Sequence, residues 1–228
     1  MHSSRWIWLL FFVALARGAF AFNQVEPYFE SVGDAQTIPD NNVSALAQDQ
    51  LGFLWVGTPD GLIRYDGYRF RSYRSASVGA LGSGGDFVRS MLAARDGRLW
   101  VGTNADGVLV LQPTSGAIER IRAAGSGQPG LSNATVRALA EDKRGGIWIG
   151  TREGLDYWAP GTGEIRRHRL RLGDTSSAAD EHITALMVDS RDVLWIGSSG
   201  GLSFGDSSSA KFQRFEDENG PSLIGEQI

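Results

Sequence analysis

An all-β fold made of repeats follows from three observations. One short motif occurs four times, as WVGTPDGL from Trp55, WVGTNADGV from Trp100, WIGTREGL from Trp148 and WIGSSGGL from Trp195. The tryptophans stand 45, 48 and 47 residues apart, a period that belongs to stacked sheet units. Each is preceded, 12 residues upstream, by an apolar residue that opens a short run: Val43, Val88, Val136 and Ile183. A catalytic motif would stand once, at one place in the fold. A motif present in every repeat is the core of the repeat, so it reports architecture first.

Each repeat then divides into strands in order. Val43 to Asp49 is a short apolar-rich strand, followed by a turn through Gln50, Leu51 and Gly52. Asp at the first turn position and Gly at the fourth fit a type I turn. The same turn returns at Asp142 to Gly145 and, with Asp in place of Gly, at Asp189 to Asp192; the second repeat carries Ala94 at the first position. FLWVG from Phe53 is continuously apolar, the mark of a strand covered on both faces by neighbouring sheets. Pro59, Asp60 and Gly61 turn it into Leu62 to Tyr65, and Asp66 and Gly67 lead to Tyr68 to Tyr73. The later repeats give third and fourth strands at Val108 to Leu111 with Ile118 to Arg122, Leu155 to Trp158 with Ile165 to Leu170, and Leu202 to Phe204 with Phe212 to Phe215. Four strands meandering over about 46 residues are the blade of a β-propeller. The tryptophan should wedge between blades, and the glycine two positions on should let the adjacent backbone approach.

The expected organisation is therefore a signal peptide over residues 1–21 and a partial β-propeller over 22–228. Its blades fall at about 43–73, 88–122, 136–170 and 183–215. The first segment has His2 and Arg5 ahead of an apolar run from Trp6 to Leu15 and closes on Ala19, Phe20 and Ala21, the layout of a secretory signal. A run of that length is short of the roughly 20 residues needed to span a bilayer. Tyr28 to Val32 reads as an orphan outer strand, and Ile228 aligns with Val43 at the start of a fifth blade. The expectation is an incomplete ring, the N-terminal fragment of a larger, seven-bladed propeller, completed by missing blades or by a second chain.

Composition narrows function further. A net charge of -4 over 228 residues provides no basic field for nucleic acid or an anionic membrane surface. There is no cysteine, which removes disulfides, thiolate metal sites and cysteine nucleophiles. His2, His168 and His182 are the only histidines and stand at no metal-ligand spacing, so neither a metal nor a cofactor is expected. The stretch from Gly79 to Gly85 lacks the Lys-Ser/Thr pair of a phosphate loop and reads as a linker. Asn42 and Asn133 sit in N-x-S/T sequons.

The lead-ins IPDNNVSAL and LSNATVRAL, the Asp-x-x-Gly turn, WIGT-x-x-GL and an aromatic closing the third strand together resemble the two-component regulator propeller family. The resemblance covers the chain from Tyr28 onward. The second and fourth copies depart from it, with Ala94 for the turn Asp, Leu111 where Tyr65 stands, and Gly205 in place of the aromatic. Members of that family are periplasmic sensor regions of histidine kinases or diguanylate cyclases. The resemblance implies extracytoplasmic ligand sensing without catalysis, an output domain beyond this chain, and a homodimer for the full-length receptor.

The loops joining second and third strands should meet the linkers entering the next blade at the mouth of the central channel, where propellers bind. They contribute Asn41, Asn42, Asp60, Asp86, Asn104, Asp106, Asn133, Arg152, Glu153 and His182. Such a rim suits a polar small molecule or a carbohydrate, with Asp60, Asn104, Asp106, Arg152, Glu153 and His182 as the candidate ligand-binding residues. Ordinary turn chemistry explains many of these residue types equally well. Arg89 and Arg137 occupy the second position of the innermost strand, where Ser44 and Thr184 stand elsewhere. The preferred reading for them is an inter-blade hydrogen bond or salt bridge, the other a charge facing the channel. Two further functions remain open: a propeller hydrolase or lyase acting on carbohydrate, with acids Asp60, Asp106 and Glu153, or a protein-interaction platform.

Overall fold

Four groups of four strands form, and each group is built around one motif tryptophan. The computed structural model describes residues 29–34, 37–38, 42–73, 87–125, 128–168, 170 and 181–215. The strands are β1 Ala45–Gln48, β2 Leu54–Thr58, β3 Gly61–Tyr65 and β4 Phe70–Tyr73; β5 Val88–Ala93, β6 Leu99–Thr103, β7 Val108–Leu111 and β8 Ile118–Ile121; β9 Val136–Glu141, β10 Ile147–Thr151, β11 Gly154–Trp158 and β12 Ile165–His168; β13 Ile183–Val188, β14 Val193–Ser198, β15 Gly201–Asp206 and β16 Lys211–Arg214. Each group pairs in sequence order as an antiparallel meander, giving four four-stranded sheets. These are β-propeller blades, and they do not close into a ring.

All strands lie within one unit, residues 33–228. Among the described residues Phe29 to Val32 carry no strand pairing, and each of the four sheets is completed by its own fourth strand. The signal peptide over 1–21, Tyr28, the 79–85 linker and the blade start at Ile228 lie outside the described residues.

The turns follow the side chains that the sequence places there. Gly52, Gly97 and Gly145 take φ near +85°, and Asp192, in the same position, takes +68°. The turn aspartates do more than start the turn. Asp49 Oδ1 accepts from the Leu51 and Phe53 amides at 3.0 Å, and its Oδ2 accepts from Trp55 Nε1 at 2.8 Å. Asp189 repeats the arrangement, with Trp195 Nε1 donating at 3.4 Å. Asp142 instead receives the Tyr157 hydroxyl at 2.9 Å. The indole N–H groups of Trp148 and of Trp100, whose repeat has Ala94, are buried without a partner.

Three core clusters hold the blades together, each drawing from two adjacent sheets. Trp55 packs with Leu99, Val101, Leu109 and Leu111 of the second blade, Trp100 with Val136, Ile147 and Ile149 of the third, and Trp148 with Leu194 and Ile196 of the fourth. Trp100 meets the Trp158 ring at 5.0 Å and Trp148 meets Phe212 at 5.7 Å, both edge-on. Trp195 packs on Phe204 and Phe215 of its own blade, and no described strand lies beyond that blade. The motif glycine gives room to a side chain of the next blade, where backbone was expected. A Cβ at Gly57 would stand 2.5 Å from Val88 Cγ1, one at Gly102 2.7 Å from Val136 Cγ1, and one at Gly150 2.5 Å from Ile183 Cγ2. The motif's last residue closes the loop that follows it. Thr58, Thr103, Thr151 and Ser198 hydroxyls donate to the carbonyls of Gly61, Gly107, Gly154 and Gly201.

The first innermost strand starts two residues later than its counterparts. In the other repeats the amide after the loop's first turn residue ties back to the residue ahead of the inner strand: Asn104 to the Phe87 carbonyl, Arg152 to Thr135, Ser199 to His182, at 3.0 to 3.1 Å. Pro59 occupies that position in the first repeat and has no N–H to donate. Val43, lacking both this tie and a preceding motif glycine to enter, is exposed.

Candidate functional site

Alternation along a strand decides which side chains face the channel. In the second, third and fourth blades the first residue of the inner strand, Val88, Val136 or Ile183, is buried against the glycine of the preceding blade. The second residue must then point the opposite way. Ser44, Arg89, Arg137 and Thr184 accordingly come together around a cavity of about 210 Å³, with Phe87 completing its lining. One position of the repeat, taken from four blades, thus builds a single concave site.

This corrects the tie expected for the two arginines. The Arg89 Nε donates to Asn104 Oδ1 at 2.6 Å, a bond inside its own blade. Its guanidinium also lies 4.6 Å from the centre of the Phe87 ring. Arg137 Nε is buried without a partner. Among the described residues neither arginine is within ion-pair distance of a carboxylate. Burial, and then the charge of Arg137, hold Arg89 below the ordinary guanidinium value.

The six candidate rim residues divide. Asn104 joins the site by orienting Arg89, while its carbonyl accepts from Thr135 Oγ1 of the next blade at 2.7 Å. His182 lies beside it: burial, followed by the charges of Arg137 and Arg152, lowers its pKa. Its Nδ1 is 3.0 Å from Ser199 Oγ and its Nε2 is buried without a partner. Arg152 and Glu153 are exposed. The backbone amides of Asp60, Asp106 and Glu153 donate to the motif threonines Thr58, Thr103 and Thr151 at 2.9 to 3.2 Å, which is turn chemistry. Asn133 likewise accepts from the Thr135 amide two residues on. None of the six, Asn104 and His182 included, lines the cavity itself. Asn42 is exposed, and Asn41 and Asp86 lie outside the described residues.

Ser44, Phe87 and Thr184 escaped the sequence-level candidate set. The signal that finds them is the phase of the inner strand, which requires knowing that its first residue is anchored in the neighbouring blade. The third blade holds one more polar group in its interior. Asp156, fully buried, accepts from the Ser132 amide and hydroxyl at 2.8 and 2.9 Å, and burial pushes its pKa up to about 6.

The profile of the family described as two component regulator propeller matches residues 37–60, 82–105 and 130–153. A stretch of 47 residues is 40% identical to "Histidine kinase P4" of Formosa agariphila, covering 21% of this chain and 3% of that protein. The fold is similar to the extracellular domain of a hybrid two component system of B. thetaiotaomicron, with a TM-score of 0.70 and 22% identity over 83% of this chain and 27% of that one. A second such domain from the same organism gives 0.58 and 22% over 79% and 22%. Virginiamycin B lyase of Staphylococcus aureus gives 0.63 and 14% over 80% and 58%. The chain spans about a quarter of the two extracellular domains and a small fraction of the kinase.

Proposed function

We propose that this chain, whose repeats belong to the two component regulator propeller family, is a ligand-sensing propeller segment of an extracytoplasmic receptor. It binds a polar small molecule or carbohydrate at the channel and passes the event to an output domain, a histidine kinase or diguanylate cyclase. The observation that carries this reading is where the repeats diverge. Tryptophan, glycine and hydroxyl positions of the motif recur because the blade needs them. The second inner-strand position varies as Ser44, Arg89, Arg137 and Thr184, and that position supplies four of the five side chains lining the shared cavity, Phe87 being the fifth. Varied side chains gathered on a repeated scaffold are how a binding site acquires specificity.

An extracytoplasmic location is supported by the short apolar leader ahead of Ala19 to Ala21 and by the likeness to two extracellular domains. A hydrolase reading needs paired carboxylates focused on one bond. Among the described residues the cavity lining contains no carboxylate, so binding fits the site better than glycoside cleavage. The test is thermal unfolding of the chain in the presence of a panel of mono- and oligosaccharides, with product analysis of every sample. A stabilising sugar recovered intact supports sensing; release of a cleaved product overturns it.

A further inference from the structure

We infer that the cavity between the inner strands is a binding site for an oxyanion, the carboxylate, sulfate or phosphate group of a small ligand, held between Arg89 and Arg137. This rests on the sensing reading above and narrows it from polar ligands to acidic ones. The first support is an accounting of donors. The Ser44 hydroxyl donates to the Val88 carbonyl and the Thr184 hydroxyl to the Gly197 carbonyl at 3.2 Å. Their protons are engaged with backbone, so the guanidinium N–H groups are the donors left to the cavity.

The second support is orientation. Asn104 takes the Nε proton of Arg89, and the Phe87 ring supports the guanidinium plane. A guanidinium fixed in this way keeps its two terminal nitrogens as a fork, the geometry that matches an oxyanion with two parallel bonds. Asn104 is thus a positioning residue. The third support is charge. Arg89 and Arg137 interact unfavourably with each other, and Arg137 with Arg152 also bears on His182. No carboxylate neutralises the arginine pair among the described residues. Two guanidiniums facing one cavity without a counter-charge are stabilised by an anion that enters it. The volume, about 210 Å³, is room enough for one such acidic group.

The full chain is titrated at low ionic strength with glucuronate, glucose and inorganic phosphate, following the unfolding midpoint and the heat of binding. Glucuronate and phosphate are expected to raise the midpoint and glucose to leave it unchanged. A larger response to glucuronate marks a carboxylated sugar as the source of the oxyanion, and a larger response to phosphate marks a phosphorylated one. Arg137→Gln and Arg89→Gln should each weaken glucuronate binding at least tenfold, with Arg137→Lys retaining part of it. Without ligand, Arg137→Gln should unfold at the wild-type midpoint or above, because it removes an uncompensated charge; a lowered midpoint would mark Arg137 as a structural tie and overturn the inference. Equal stabilisation by glucose and glucuronate, with binding kept in both Gln variants, overturns the oxyanion site and leaves sensing intact. Arginine-dependent binding of glucuronate, with cleavage of a methyl glucuronide added in a parallel sample, overturns sensing and leaves the site standing.

Discussion

The junction between the third and fourth blades and the outer face of the fourth blade present the same motif in two environments. At the junction, Trp148 is buried, Ile183 fills the space above Gly150, and the β10 strand is buried along its length. On the outer face, Trp195 is half-buried, a Cβ at Gly197 would meet nothing nearer than Ala185 Cβ at 3.3 Å, and β14 is only partly covered. The difference shows that the tryptophan and glycine serve the following blade more than their own sheet. A blade folds its meander from local turns, and the motif acquires its packing value when a neighbour arrives. Stability in such an array is a sum of unit and interface terms.

The largest test of that contrast is truncation of the two tryptophans. Trp148→Ala should cost about 3–5 kcal/mol, the usual range for a buried aromatic, and Trp195→Ala less than half as much, read from denaturant midpoints. Equal losses would break the distinction between junction and open face.

Next comes the charge buried in the enclosed blade. Asp156 stands where the fourth blade has Ser203, both buried. Its folded pKa of about 6 lies above its ordinary value of 3.8, so the folded state binds the proton more tightly. Stability therefore falls as pH rises from about 4 to 6, by up to about 3 kcal/mol, and the loss is complete above that window. Asp156→Asn should flatten the slope between pH 4 and 6; an unchanged slope assigns the pH dependence elsewhere.

A third comparison uses the motif glycines. Gly150→Ala places a methyl against Ile183 and should destabilise by about 1–3 kcal/mol, the range for overpacking. Gly197→Ala, whose methyl would meet nothing nearer than Ala185 Cβ at 3.3 Å, should cost well under about 1 kcal/mol, the mild crowding being offset in part because alanine loses less chain entropy on folding. A matching loss at both positions would mean that the glycine serves its own strand.

The smallest effect concerns the turn residue. Ala94→Asp supplies an acceptor for the Trp100 indole N–H, which has none in the wild type, as Asp49 does for Trp55. A gain of up to about 1 kcal/mol is expected, measured by thermal unfolding. A loss would show that the Asp-Trp bond does not carry over between blades.

Much of the fold was legible because its determinants are local. The Asp-x-x-Gly turns, the 12-residue step from Val88 to Trp100 and the glycines after the motif hydroxyls set strand ends that the structure reproduces to within about two residues. The late start of β1 was legible in principle, since Pro59 has no amide proton where Asn104, Arg152 and Ser199 each donate one. The orphan strand expected near Tyr28 is a different case: its composition suits a strand, but each of the four described sheets already has its own fourth strand, so nothing in them offers it a ladder. At the candidate site, loop position picked out Asn104, which bonds Arg89, and His182, which lies near enough to feel the charge of Arg137. It also brought in Asp60, Asp106 and Glu153, whose amides serve the turns. Arg89 and Arg137 were visible as variable positions, but their direction depends on Val88 and Val136 being held by Gly57 and Gly102 of another blade.

The sequence by itself determined the all-β class, the four repeats, their turns and the tryptophan core, because these follow from side chains interacting within a few residues and from a period that repeats them. Only the tertiary structure decided that four blades share one cavity, that two arginines line it with no counter-charge among the described residues, and that Asp156 is buried. Each of those depends on residues some 45 apart meeting across a blade junction, and strand phase and burial are set there by the neighbour's packing, which no local pattern encodes.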